Sequence, residues 1–371
     1  MTSPKQLARL FRAQLYLFRL FVEKVLLKFE IASFRLKKTH VRRGGMFLIN
    51  IGIPVAYAAV AGHSRAALLG GVAALVLSFA DNERGLLARL GLLASAAGCM
   101  AMGGAAGYLL SGMPAIFWPV FVVLVFAVGM AARAGREPMM ALRYGAIAFT
   151  STASLPVFDT SDAGLLGLAL AVTVASRTLD HLVFGPLPRS TAGPQPQRPD
   201  SHIGWIRFAL AYAAAAAVAL WIGLTLEPLR AVWVVTTTLI VMQADARASY
   251  QRIVERIMGT FAGVLIAWLI ALLVSKASAA PEPWALCVLA LIATPFIPHH
   301  VGQRYWLHTA LIALFILLMY GYAAPSISEL DTLLGERLKD MLLGCAVAVA
   351  GTAIAFPRRV EISSGDDGGD T

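Results

Sequence analysis

The chain has 371 residues, 58% of them hydrophobic and only 14% charged, with a mean hydropathy of +0.72. No water-soluble fold buries that much apolar surface, so the composition predicts an all-α polytopic membrane protein and argues against a soluble enzyme. The net charge of +10 is explained by membrane topology without nucleic acid, and Cys99, Cys287 and Cys345, odd in number and far apart in apolar runs, argue against a disulfide framework or a metal site.

Residues 1–45 read as a basic amphipathic helix on the cytoplasmic face. Leu7, Leu10, Phe11, Leu15, Phe18, Val22, Val25, Leu26 and Phe29 recur at helical spacing, with Arg9, Arg12, Arg19, Lys24 and Lys28 between them. Scattered basic residues are wrong for a signal peptide. The pairs Lys37-Lys38 and Arg42-Arg43 suit anionic lipid headgroups. Such a helix serves as a topology anchor, or as a subunit contact or gate.

Twelve apolar runs follow, in two sets of six. The first membrane half, 46–184, holds 46–61, 66–80, 86–110, 115–132, 144–158 and 163–184. A cytoplasmic linker, 185–204, carries Gly193-Pro194-Gln195-Pro196 and cannot bury a core. The second half, 205–359, holds 205–226, 229–242, 257–274, 283–297, 305–324 and 341–356, and 360–371 reads as a disordered acidic tail. Several runs fall short of the ~20 residues a crossing needs, so flanking residues extend them or the helix is broken. With the N-terminus in the cytoplasm, all of the 31 Lys and Arg except Arg65, Arg230, Lys276, Arg337 and Lys339 fall on the cytoplasmic side, which predicts both termini there.

The halves share a motif. Val76-Leu77-Ser78-Phe79-Ala80-Asp81 and Ile240-Val241-Met242-Gln243-Ala244-Asp245 each pass from an apolar segment to an acid and then to arginines. A helix with a Gly-x-x-x-Gly follows, Gly103 to Gly107 and Gly259 to Gly263. Six spans per half make the copies two parallel six-helix repeats. The short runs 66–80 and 229–242 at matching positions are the sequence pointer to a binding site.

Carboxylate recognition needs cations, and Arg252 and Arg256, one helical turn apart, offer planar forks. Asp245 or Glu255 could hold those forks or exchange protons; the expectation is an Asp245–Arg256 pair, with Asp81 and Arg89 as the first-half counterpart. Trp233, Thr237 and Gln243 on the polar copy of the short run, with Tyr305 and Trp306, complete the candidate substrate-binding set. Three threonines could equally return their hydrogen bonds to the preceding helical turn, and the aromatics could belong to an interfacial belt. For proton coupling the candidates are His308, Asp81, Asp245 and Asp340, the last placed at the start of the final span. No cofactor is expected: there is no nucleotide loop and no metal-ligand spacing.

The stretch Leu229-Arg230-Ala231-Val232-Trp233 through Asp245, followed by Arg252-Ile253-Val254-Glu255-Arg256-Ile257-Met258-Gly259-Thr260-Phe261-Ala262-Gly263, resembles the fusaric acid resistance protein-like family, which includes aromatic acid exporters. Arg337-Leu338-Lys339-Asp340-Met341-Leu342-Leu343-Gly344 looks like that family's last helix. The resemblance covers about 205–359. It implies a secondary transporter that exports small, aromatic carboxylic acids across the bacterial inner membrane with the proton gradient, beside a periplasmic adaptor protein, and as a possible homo-oligomer. Plant relatives imply a passive organic-anion channel instead. A non-transporting membrane assembly subunit is the third reading.

Overall fold

A computed structural model describes residues 38–81, 85–154, 160–186, 199, 201–277, 284–300, 304–323 and 327–357. Residues 1–37 of the helix expected over 1–45, most of the 185–204 linker and the 360–371 tail lie outside them. The described residues form twelve α-helices, one 3₁₀ helix and no strand. In chain order they are α1 (Lys38–Val60), α2 (Ser64–Phe79), α3 (Leu86–Leu110), α4 (Pro114–Ala134), α5 (Arg136–Ala153) and α6 (Thr160–Phe184). The second six are α7 (His202–Leu226), α8 (Pro228–Val241), α9 (Ala246–Ala277), α10 (Trp284–Ala293), α11 (Tyr305–Ala323) and α12 (Ile327–Ala355), with the 3₁₀ helix Thr294–His300 continuing α10.

Eight of these helices are long and apolar enough to cross a membrane. The others are α2, α5, α8 and α10. At 14 residues, α8 rises about 21 Å, against a hydrocarbon core of ~30 Å. Local chemistry sets many of the ends. Pro114 and Pro228 open α4 and α8, where a missing N–H costs nothing. The Ser201 hydroxyl accepts from the Gly204 N–H at 3.1 Å and caps α7. Gly135, at φ 133°, turns the chain between α4 and α5, a conformation that side chains rarely adopt.

Four helices start eight or more residues before their apolar runs, among them α5, which begins at Arg136 and takes in Arg143. α1 begins at Lys38, so Arg42 and Arg43 belong to the first span and not to a separate surface helix. α9 begins at Ala246, which puts Arg252 and Arg256 inside a 32-residue helix. α12 begins at Ile327, so Asp340 lies in mid-helix, buried, and not at the helix start. Some of the charges the helices run through are held by side chains of other helices or packed on aromatic rings, as Arg42, Asp340 and Arg252 are.

Close packing follows the glycines. A Cβ on Gly103 or Gly107 would run into the backbone of Gly145 or Phe149, which seats α3 on α5. Gly259 and Gly263 likewise meet the carbonyls of Trp306 and Ala310, which seats α9 on α11. α2 packs on α6 and α11, and α8 packs on α12 and α5. The buried apolar residues form two clusters, and each mixes both halves. One joins Phe121 and Phe149 to Phe208, Tyr212, Leu239 and Cys345. The other joins Phe47, Ile51 and Leu165 to Leu286, Phe315 and Leu318.

Candidate functional site: a buried arginine seam between α8, α9, α11 and α12

The short helix α8 brings two of the sequence candidates, Trp233 and Thr237, against α12. Trp233 presents its ring to Arg337, whose guanidinium carbon lies 3.8 Å from the ring centroid, and Tyr320 meets the same indole edge-on at 6.0 Å. One turn further on, Thr237 packs at Gly344, where any larger residue would strike it. At the start of α8, Nε and Nη2 of Arg230 both lie 2.7 Å from Asp340 Oδ1, which ties α8 to α12.

α9 supplies the opposing side. Arg256 is 5% exposed and is an electrostatic neighbour of both Arg337 and Cys345, which places it against α12. Thr260, one turn along, shares its face, and Thr309 of α11 packs at Gly259. Arg252, a turn before Arg256, lies over the Tyr305 ring at 5.2 Å and has Arg143 and Arg136 of α5 as electrostatic neighbours.

These groups lack hydrogen-bond partners to a degree that is unusual for buried polar atoms. Arg256 Nε, Arg337 Nε and Nη1, and the hydroxyls of Thr237, Thr260 and Thr309 are buried and bond to nothing among the described residues. The expectation that the threonines return their bonds to the preceding turn holds for Thr238, which donates to the Val234 carbonyl at 2.9 Å, and not for Thr237. Arg143 Nε and the Tyr305 hydroxyl are orphaned in the same way. Buried polar atoms are ordinarily satisfied, and an orphan donor costs ~1–3 kcal/mol, more when charged. The seam is therefore a set of buried donors, on two arginines and three threonines, without acceptors among the described residues.

Other sequence candidates have different occupations. The Asp245–Arg256 pair does not form. Asp245 accepts from the N–H groups of Arg247 and Ala248 at 3.1 and 3.2 Å, capping α9 as its helix dipole favours. Gln243 donates to the carbonyls of Ile240 and Met242 at 2.9 Å, closing the end of α8, and its own N–H is taken by the Ser249 hydroxyl at 2.8 Å. His308 Nδ1 lies 3.0 Å from the Ile297 carbonyl, and its ring meets Phe79 edge-on at 5.1 Å. That position secures the 3₁₀ break after α10. Trp306 is half-buried beside them and gives its carbonyl to the Gly259 contact.

The first half carries a charge cluster of opposite character. Arg89, fully buried, grips Asp81 through Nε and Nη2 at 2.9 and 3.0 Å and reaches Asp180 of α6 through Nη1 at 3.0 Å. Arg42 of α1 grips both oxygens of Asp180, with Nε on Oδ1 and Nη2 2.8 Å from Oδ2, the oxygen that Arg89 also reaches. Arg177 caps the end of α2, donating to the carbonyls of Ala80 and Leu77 at 2.7 and 2.6 Å. The two acids balance Arg89 and Arg42, and the third arginine, Arg177, is held by the backbone carbonyls.

Sequence reasoning missed Arg337, Thr260 and Thr309 in the seam, and Arg42, Arg177 and Asp180 in the balanced cluster. The i, i+3 pairs Arg177/Asp180 and Arg337/Asp340 within apolar stretches were the available signal, because buried charges on one helix face imply partners or a ligand.

Residues 214–351 match the family model described as Fusaric acid resistance protein-like. No curated protein and no solved structure matches the chain. The matched stretch runs from within α7 to within α12 and contains every residue of the seam, from Trp233 to Arg337. The resemblance read at Leu229 to Gly263 is borne out: residues 214–351 of this multi-pass membrane protein are similar to the fusaric acid resistance protein-like family.

Proposed function

We propose that the protein exports small organic carboxylates, aromatic ones among them, from the cytoplasm across the bacterial inner membrane, along the seam of the second half. One observation carries this reading. Arg256 and Arg337 are each only 5% exposed, are electrostatic neighbours, and make no salt bridge to an acid among the described residues. An unpaired charge is expensive inside a membrane, so cations held this way are suited to an anion that arrives and leaves. Trp233, Tyr320 and Tyr305 line the same seam and suit an aromatic ring.

Two parallel six-helix repeats are the architecture we propose around it, and the packing supports this. α3 on α5, α2 on α6 and α4 on α5 recur as α9 on α11, α8 on α12 and α10 on α11, and the crossings of α2 with α11 and α5 with α8 exchange under the same shift of six. Both termini would then be cytoplasmic, with the basic N-terminal segment on anionic lipids. A periplasmic adaptor and a homo-oligomer belong to this proposal as partners.

Drive by the proton gradient is the first reading of energetics. Passive conduction is the second, and a specific observation favours it: Asp81, Asp245 and His308 are committed to an arginine, a helix cap and a backbone carbonyl, which leaves Asp340, paired with Arg230, as the acid nearest the seam. Flux of labelled benzoate from proteoliposomes, with and without a pH gradient, separates the two. Arg256→Gln and Arg337→Gln should each cut that flux at least ~10-fold, the loss of one charge-assisted contact. Full flux in both variants would overturn the proposal.

A further inference from the structure

We infer that the seam takes a dianion, a single small molecule bearing two carboxylates. This rests on the carboxylate reading above and adds a charge count and a donor count to it. Around Trp233 the charges are the half-buried Arg230 and the buried Arg256, Arg337 and Asp340; Asp340 pairs with Arg230 and is also an electrostatic neighbour of Arg337. Glu336 is half-buried one turn nearer the α12 N-terminus, and Glu255 faces away to bond Gln251 at 2.8 Å. Three guanidiniums thus share one carboxylate, an excess of two positive charges within this set. A monoanion would neutralise one and leave the other buried with its repulsive neighbour, whereas a dianion neutralises both.

The donors agree with the charges. Arg256 Nε, Arg337 Nε and Nη1, and the hydroxyls of Thr237, Thr260 and Thr309 are all orphaned. A single carboxylate offers about four lone-pair sites, too few for this set, and two carboxylates offer enough. The donors also stand on four helices, with Thr237 on α8, Arg256 and Thr260 on α9, Thr309 on α11 and Arg337 on α12. That spread suits two separated anionic groups better than one.

The test uses the full-length protein purified in detergent and a matched pair of probes, benzoate and isophthalate, which share a ring and differ by one carboxylate. Thermal stabilisation is titrated with each at constant ionic strength. Isophthalate should reach its half-maximal effect at a concentration about tenfold lower than benzoate, the value of one additional charge-assisted contact. Arg256→Gln and Arg337→Gln, each leaving one guanidinium, should remove that preference. If benzoate works as well as isophthalate in the wild type, the dianion inference fails and the carboxylate reading stands. If neither probe stabilises the protein, both fail. Should a variant not fold, the wild-type comparison decides alone.

Discussion

Arg337 lies flat on Trp233 at 3.8 Å while Asp340, three residues later on α12, is held by Arg230, three residues earlier on α8. The two contacts cross, so the long side chain of Arg337 passes its neighbour's ion pair to reach the indole. Stacking of this kind contributes ~1–2 kcal/mol when desolvated and fixes where the guanidinium points. Trp233→Leu should therefore weaken carboxylate binding by about tenfold, while Trp233→Phe, which keeps a ring face, should retain most of it. Ligand-induced thermal stabilisation measures both, and equal behaviour of the two variants would discard the positioning role.

The two buried arginine sets should respond oppositely to neutralisation. Arg89→Leu takes the fully buried guanidinium shared by Asp81 and Asp180 and should destabilise the protein by ~3–5 kcal/mol, the cost of breaking a buried pair. Arg256→Gln strands nothing, so the apparent melting temperature should hold or rise even as transport falls. Loss of stability in Arg256→Gln equal to that in Arg89→Leu would mean that Arg256 has a structural partner.

Asp245 and Arg256 should act independently. Asp245→Ala removes a helix cap and should cost ~0.5–2 kcal/mol, and Asp245→Asn should recover most of it, since an amide oxygen also accepts from the first turn. In a double-mutant cycle with Arg256→Gln the effects should add to within ~0.5 kcal/mol. A coupling energy beyond that would reinstate the pair.

His308 should serve structure, not proton transfer. His308→Leu leaves the Ile297 carbonyl without its donor and should cost ~1–3 kcal/mol. His308→Asn, with an amide N–H near the position of Nδ1, should restore stability and keep the wild-type pH dependence of flux. A flattened pH profile in a stable His308→Asn variant would return His308 to the list of proton carriers.

Glycines on one helix pair should separate by what faces them. Gly263→Ala drives a methyl to 2.5 Å from the Ala310 carbonyl oxygen and should cost ~1–3 kcal/mol by forcing α9 off α11. Gly335→Ala on α12 meets nothing within 4 Å and should be neutral or stabilising by up to ~1 kcal/mol, through helix propensity. Melting curves of the two variants decide this.

Much of the helical layout was legible, because a run of apolar residues near the length of a bilayer has few other uses. All twelve runs correspond to helices. Their starts were legible only where charge and apolar residue part company. α9 and α12 begin 11 and 14 residues before their runs, at Ala246 and Ile327, because Arg256, Arg337 and Asp340 are buried inside helices and hydropathy counts them as ends. The same blindness hid the seam. Arg337 reads as an exposed loop cation until α12 carries it onto Trp233, and Asp245 reads as its neighbour's counter-ion until α9 starts one residue later and claims the carboxylate as a cap. Pattern reveals which residues share a helix face; which two helices meet is a tertiary fact.

The mixing of both halves in each apolar cluster has a consequence for how the protein is made. When α6 leaves the insertion machinery, Phe121 and Phe149 still wait for Phe208 and Leu239, and Phe47 and Ile51 for Phe315 and Leu318. Neither half can complete a core during synthesis, so the first six helices must linger in the bilayer, half-assembled, until the second six arrive. A gene split between Gly185 and Gly204 would thus yield two fragments that are stable only together.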